Sequence, residues 1–428
     1  MLFDQTLTYI SLFSGAGVGC YGILEEGFEC VATNEILEKR LNIQRINRKC
    51  KFDESYISGD IKKPETKEKI LKQIGFYSKK FGNDRVDLVV ATPPCQGMSV
   101  ANHKKKNDEI KRNSLVVESV DLIKQIKPRF FILENVPSFY KTGCIDKNDN
   151  LLEIGSMIEQ NLSGDYMLYD EVINFKNFGA NSSRTRTLVI GVCKEFKDFT
   201  SALEFFPDFK QEKTLKEVIG SLKPLAWGEY DSTDFYHSFR TYPKHMQEWI
   251  KDLKEGQSAF ENAQDAISNL AYLCSNEGAF ESDYLNPIQS SYQALMRKDS
   301  PKLYNHQATN HSQAALEKLK LINKEQGKEC LPKNLHGKQQ FKSTWGHLNW
   351  NKISPTIDTR FDTPSNGTNS HPKLHRSITP REAARIQSFS DNYIFYGNKT
   401  SVCKQIGNAV PPLLALALGK AILKSLRK

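Results

Sequence analysis

Short continuous apolar runs, separated by longer stretches of helical periodicity, dominate the first part of the chain. Leu7 to Phe13, Cys30 to Thr33, Asp87 to Ala91, Phe130 to Leu133 and Leu188 to Val192 are rich in β-branched and aromatic residues, which predicts buried strands. Strands alternating with helices over this length predict an α/β domain, a parallel sheet with helices on both faces. Between about Lys194 and Lys373 the pattern breaks into irregular, aromatic-rich and helical pieces. Met246, Trp249, Ile250 and Leu253 share one helical face there, as do Leu316, Leu319 and Ile322 before Gly327. Such stripes read as core rather than as binding faces. Regular patterning returns at Thr379, placed as an N-cap with Pro380 at N1 and Glu382 at N3, and an amphipathic helix is predicted from Pro411 to Leu426. The pattern predicts two domains: residues 1–195 completed by 375–428, and a second domain, 196–374, inserted late.

Composition narrows this picture only a little. The 428 residues carry 59 Lys+Arg against 50 Asp+Glu, a formal charge of +9, which fits a polyanionic partner without requiring one. Nine scattered cysteines with no C-x-x-C pair argue against a disulfide scaffold and a cysteine-held metal, so no metal is expected and the thiols read as reduced. With no basic-then-apolar leader and no uninterrupted apolar stretch long enough for a bilayer, the expectation is a cytoplasmic protein with no membrane partner.

The candidate chemistry sits at predicted strand ends. Ser11-Leu12-Phe13-Ser14-Gly15-Ala16-Gly17-Val18-Gly19 runs from a strand into a glycine-rich turn, where backbone can approach a ligand closely. Gly17, Gly19 and Gly22 also satisfy G-x-G-x-x-G, and Glu35 ends the next strand, where an acid would bond ribose hydroxyls. The residues alone admit either a nicotinamide dinucleotide or S-adenosylmethionine. Asp60, in Gly59-Asp60-Ile61, ends a further strand and could accept from an adenine amino group, although a turn or cap role is the more ordinary use of such an Asp. Thr92-Pro93-Pro94-Cys95-Gln96-Gly97 follows a buried strand, so Cys95 lies at its carboxyl mouth, held by two residues of fixed φ. That is the placement of a nucleophile rather than of a packing thiol. A polar, basic stretch from Asn102 to Arg112 follows, either a solvated charge run or a loop that closes on phosphates. Glu134 ends another apolar strand, where burial would raise its pKa and keep a proton available near neutrality. Arg184 and Arg186 fall on one side of an extended backbone and could reach a phosphate or base oxygen together.

In order, Phe13-x-Gly15-x-Gly17, Pro93-Pro94-Cys95-Gln96, Glu134-Asn135-Val136, Arg184-x-Arg186, Arg381-Glu382-Ala383-Ala384-Arg385-Ile386-Gln387 and Gln405-Ile406-Gly407-Asn408-Ala409-Val410 resemble the motif series of DNA cytosine-5 methyltransferases. The resemblance covers nearly the whole chain and is weakest from about 200 to 300. It implies a Rossmann-like S-adenosylmethionine-dependent methyltransferase sheet with a smaller inserted target-recognition domain. It implies that Phe13, Gly15, Gly17, Glu35, Asp60, Ile61, Pro93, Leu115 and Asn408 line the cofactor. Cys95 would attack C6 of a flipped-out cytosine, Glu134 would contact N3 and the amino group, and Arg186, with Arg184, would hold O2 or the adjacent phosphate. Gln96, Ser99, Lys104, Lys105, Arg112 and Thr356 would meet double-stranded DNA. The implied setting is a restriction-modification system with a cognate endonuclease. Ser11, Val18, Ile36 and Ser182 depart from common family residues, which bears on single contacts rather than on the site.

Three other readings compete. A nicotinamide dehydrogenase explains the glycines but gives Cys95, Glu134 and the arginines no role. A tRNA cytosine-5 methyltransferase shares the chemistry, against which stands the long insert suited to reading a DNA groove. A silent DNA-binding relative would have no use for an intact Cys95 and Glu134.

Overall fold

Seven strands, all drawn from the first half of the chain, form one sheet. The structure is a computed structural model and describes residues 6–82, 85–94, 113–196, 199–226, 229–238, 250–251, 253–256, 347–363, 366–374 and 376–426. The strands are β1 (Thr8–Leu12), β2 (Glu29–Glu35), β3 (Tyr56–Ser58), β4 (Leu88–Ala91), β5 (Phe130–Asn135), β6 (Tyr166–Asn174) and β7 (Thr185–Cys193). Their order across the sheet is β3-β2-β1-β4-β5-β7-β6. The first five are parallel; β7 runs antiparallel to both β5 and β6. The fold class is therefore α/β as expected, but the sheet is mixed at one side where an all-parallel one was predicted.

The strand expected before Gly59-Asp60 is β3, only three residues long. One strand was hidden from the apolar pattern: β6, at the sheet's edge, leaves Asp170, Glu171 and Val172 exposed, so it does not read as a buried run. The chain also divides into two compact units, Met1–Glu212 with Ala409–Lys428, and Lys213–Asn408, borders that differ from those drawn on the sequence.

Alternation along the strands of the first unit builds two cores. Ile10, Leu12, Val89, Ala91, Phe131, Leu133 and Val189 face one side, beneath α3 (Pro64–Phe81), α4 (Leu115–Ile126) and α5 (Ile154–Leu162). Tyr9, Cys30, Leu88, Val90, Phe130, Ile132, Leu188 and Ile190 face the other, with Ile23 of α1 (Tyr21–Glu25) and Leu414, Leu418 and Ile422 of a C-terminal helix, Pro412–Leu426. Period two thus sorts each strand between opposite layers. A Cβ on Gly22 would lie 2.0 Å from the Pro412 carbonyl oxygen and 2.4 Å from the Leu416 nitrogen, so only glycine lets these two helices meet. The stretch Lys399–Leu426 is apolar enough by length and composition to cross a membrane, yet 72% of its most apolar window is buried within the protein.

The second unit contains a capped turn of helix at Leu215–Ile219, a short hairpin (Tyr230–Asp231 with Asp234–Ser238), and helices Pro380–Ile386 and Lys399–Gly407. The expected capping box is present, Thr379 accepting from the Glu382 N–H and Glu382 from the Thr379 N–H. Glu382 also receives two parallel bonds from Arg376, at 2.7 and 2.8 Å, and both side chains are buried. Burial would raise the Glu382 carboxyl; the Arg376 guanidinium outweighs it and holds the pKa at about 2. Of the helical stripes, Ile250 and Leu253 are buried, whereas Met246, Trp249, Leu316, Leu319 and Ile322 lie outside the described residues.

Candidate functional site

Strand register brings the sequence-predicted groups to one edge of the sheet. Leu12 pairs with Ala91 and Ala91 with Leu133, while Ser11 pairs with Thr33 and Glu35 with Ser58. Phe13, Glu35, Gly59, Pro93 and Glu134 therefore follow or end neighbouring strands at their carboxyl side, where open α/β sheets bind ligands. Because β7 runs the other way, it is its beginning, with Arg186, that reaches this edge.

After β1 the chain turns sharply. Phe13, Gly15 and Gly17 all have positive φ, at 55°, 54° and 87°. The turn is held by Ser14 N–H to the Asn34 carbonyl (3.0 Å), Gly17 N–H to the Ser14 carbonyl (2.8 Å) and Thr92 Oγ1 to the Phe13 carbonyl (3.2 Å). Gly17 is required twice over, because a Cβ there would meet Gln44 Cγ at 2.6 Å. At Gly15 nothing lies within 4 Å of a Cβ position, leaving open space beside the backbone that a bound molecule could fill.

Glu35 is buried, and both its oxygens are engaged. Oε2 accepts from the Gly15 N–H at 2.9 Å; Oε1 accepts from the Leu37 N–H and from Arg40 Nη1, each at 3.2 Å. Asp60 Oδ1 accepts from the Lys62 N–H at 3.0 Å, a turn bond, and Ile61 is buried in the core. Asn34 Nδ2 donates to the carbonyls of Ile57 and Gly59, tying β2 to the segment carrying Asp60. Leu115 opens α4 and packs on the core. Asn408 and Thr356, both exposed, belong to the second unit and are described only there.

At the other end of the edge, Pro93 is buried, and its carbonyl accepts from Asn135 Nδ2 at 2.9 Å. The residue after Glu134 thereby anchors the segment that leads to Cys95. Cys95 itself, with Gln96, Ser99, Lys104, Lys105 and Arg112, lies outside the described residues. Glu134 is 9% exposed, and its Oε1 accepts no hydrogen bond among the described residues, although Arg186 Nε stands 3.4 Å away. Burial raises the Glu134 carboxyl above the ordinary carboxylate range, with Arg186 and then Arg184 pulling it back. Arg184 is buried and Arg186 half-buried, with Arg186 Nη1 donating to the Thr185 carbonyl at 2.7 Å. A carboxyl so placed keeps its proton more readily than an exposed one and can present it to a ring nitrogen.

Several residues of this edge were not singled out by the sequence reading. Thr92 and Asn135 are polar residues at strand ends, a visible signal; Gln44, Thr33 and Lys49, below the glycine turn, carry none, since each reads as ordinary helix, strand or loop composition.

The sequence model of a family described as C-5 cytosine-specific DNA methylase matches residues 7–424. The type II methyltransferase M.DdeI of Desulfomicrobium norvegicum is 29% identical over 357 residues, 79% of this chain and 72% of that protein. The type II methyltransferase M1.HphI of Haemophilus parahaemolyticus is 25% identical over 425 residues, 99% of this chain and 88% of its own. Among solved structures, one described as a DNA modification methyltransferase encoded within an E. coli prophage is similar with a TM-score of 0.57 and 24% identity, covering 99% of this chain and 100% of that one.

Proposed function

Because the chain belongs to the C-5 cytosine-specific DNA methylase family over residues 7–424, we propose that it methylates C5 of a cytosine flipped out of a specific double-stranded DNA sequence, through an adduct between Cys95 and C6. It is a DNA cytosine-5 methyltransferase of restriction-modification type, and family and fold imply use of S-adenosylmethionine. The observation that carries the finer reading is Glu134. It is a buried carboxyl, raised by burial, with an oxygen that accepts no hydrogen bond among the described residues and pairs with the Arg186 guanidinium at 3.4 Å, on the strand beside the one that leads to Cys95.

In this reading the Cys95 thiolate adds to C6 while Glu134 gives or shares a proton at N3, so electron density moves to C5. Arg186, 3.4 Å from Glu134, holds O2 or the neighbouring phosphate and keeps the carboxyl oriented. S-adenosylmethionine supplies the electrophilic methyl that C5 takes. Loss of the C5 proton to solvent then expels the thiolate, and return of the N3 proton to Glu134 restores the ring. C5 and C6 are out of reach in a stacked duplex, and extruding the base costs a few kcal/mol.

The glycine turn suits the cofactor: positive-φ backbone, open space at Gly15, and Glu35 fixed at the adjoining strand end. Phe13, Gly15, Gly17, Glu35, Asp60, Ile61, Pro93, Leu115 and Asn408 would hold it. The basic stretch with Lys104, Lys105 and Arg112 would close on phosphates, and residues 196–374 would read the target, with Thr356 at the DNA. A cognate endonuclease is the system partner this reading carries.

The test is transfer of radiolabelled methyl from S-adenosylmethionine to plasmid DNA, followed by bisulfite sequencing. Methylcytosine in one short sequence context is the expected result. Label entering tRNA and not DNA would overturn the DNA reading.

A further inference from the structure

Beneath the glycine turn lies a buried polar stack that the reaction above does not use. Gln44, on α2 (Glu38–Ile46), is fully buried; its Nε2 donates to Ser14 Oγ and to the Gly15 carbonyl, both at 2.7 Å. Its Oε1 accepts from Thr33 Oγ1 at 2.7 Å, and Thr33 Oγ1 accepts in turn from Lys49 Nζ at 3.1 Å. Thr33 is fully buried and Lys49 is 3% exposed. Among the described residues Lys49 makes no salt bridge.

The stack has a direction. A backbone carbonyl can only accept, so Gln44 must turn its NH2 to the Gly15 carbonyl and its Oε1 to the Thr33 hydroxyl, which donates to it. That fixes the amide of Gln44 with its NH2 upward, toward the turn. Two donations from one amide then pull Ser14 Oγ and the Gly15 carbonyl down. Since the peptide is planar and trans, the Ala16 N–H is turned to the opposite face of the loop. Contact is close as well, with Gln44 Cγ 2.6 Å from the position a Gly17 Cβ would take.

We infer that Gln44, Thr33 and Lys49 are positioning residues that set the height and peptide orientation of the Ser14–Gly17 loop for S-adenosylmethionine. The inference rests on the assignment of that loop to the cofactor. None of the three residues touches the cofactor in this account; they act through the backbone above them.

The experiment is calorimetric titration of the full chain with S-adenosylmethionine, alongside steady-state methyl transfer. The wild type is compared with Gln44→Glu, Thr33→Val and, as a control on the loop itself, Gly17→Val. Gln44→Glu keeps the size and the acceptor but loses both upward donations. It is expected to weaken cofactor binding by about tenfold to a hundredfold, as two lost hydrogen bonds would. KM for S-adenosylmethionine rises in step, while kcat at saturating cofactor and KM for DNA stay within about twofold. Thr33→Val, nearly isosteric, removes both bonds of the Thr33 hydroxyl, of which one reaches Gln44, and moves the same quantities in the same direction by about threefold to tenfold. Wild-type cofactor affinity in both variants overturns the inference, as does a fall in kcat at unchanged KM, the mark of a lost folded fraction. Cofactor affinity that survives Gly17→Val in a folded protein, or is missing from the wild type, overturns the assignment of the loop and the inference with it.

Discussion

Two glutamates end strands of the same sheet, β2 and β5, and the protein treats them in opposite ways. Glu35 is 4% exposed and receives three donors, two from backbone and one from Arg40. Glu134 is 9% exposed and leaves one oxygen with no hydrogen bond among the described residues, in a setting that raises its pKa. Burial is nearly equal, so burial alone does not set the role. A carboxylate whose oxygens are occupied is a fixed part of a wall, and a carboxyl left short of donors remains chemically available. In the proposed function the Glu35 end of the edge holds and the Glu134 end reacts.

The sharpest way to separate the two ends is Cys95→Ser, which is expected to abolish methyl transfer while cofactor and DNA binding persist in gel-shift and titration assays. Loss of DNA binding in a folded variant would make Cys95 structural. Next in size, Glu134→Gln should lower kcat by about 10² to 10⁴, the range of general acid catalysis, with cofactor affinity unchanged. The wild-type rate should fall as pH rises through the raised carboxyl pKa, because the protonated acid is the working form; in Glu134→Gln that limb should vanish from the pH profile. A third buried glutamate sharpens the contrast through stability. Glu382→Gln breaks the buried pair with Arg376 and should cost about 3–5 kcal/mol in urea unfolding of the second unit. Since the folded pKa of Glu382 is held down to about 2, its contribution is present above the ordinary carboxylate pKa of about 4.3 and is lost as pH falls toward about 2. At the holding end, Glu35→Gln should weaken S-adenosylmethionine about tenfold to a hundredfold by titration, the worth of a hydrogen bond to a charged group, and leave kcat at saturation nearly intact. A comparable drop in kcat would erase the distinction between the ends. The smallest effect belongs to the basic stretch: Lys104→Ala should reduce the slope of log binding against log salt by about 1 without changing the preferred sequence.

Much of this arrangement is legible in the amino-acid sequence. Apolar runs followed by glycine, proline or an acid marked four strand ends, and the capping box at Thr379 was readable residue by residue because its bonds are local. What was not legible depends on long-range pairing. β6 is half-exposed at a sheet edge, so its side chains follow no buried pattern, and the reversal of β7 is set by its partners rather than by its composition. Glu134 stood out as an acid after an apolar run; that its Oε1 would lack a donor could only come from the surrounding packing. Gln44 has three hydrogen bonds to residues 11 to 30 positions away, a role that a Gln on a helix does not announce.

The contact between Gly22 and the Pro412–Leu416 backbone has a consequence in time. The first unit is assembled from residues on both sides of the second, so the helix that covers Ile23 and Phe28 is synthesised after all of Lys213–Asn408. At ribosomal rates of about 5–20 residues per second, the nascent sheet waits on the order of 10–40 s with that apolar face uncovered. A polypeptide interrupted anywhere in the second unit would carry every strand of the seven-stranded sheet, yet lack the helix that closes the layer beneath it. Such fragments would be sticky, and the helix Pro412–Leu426, supplied as a separate peptide, is the natural means of covering that face.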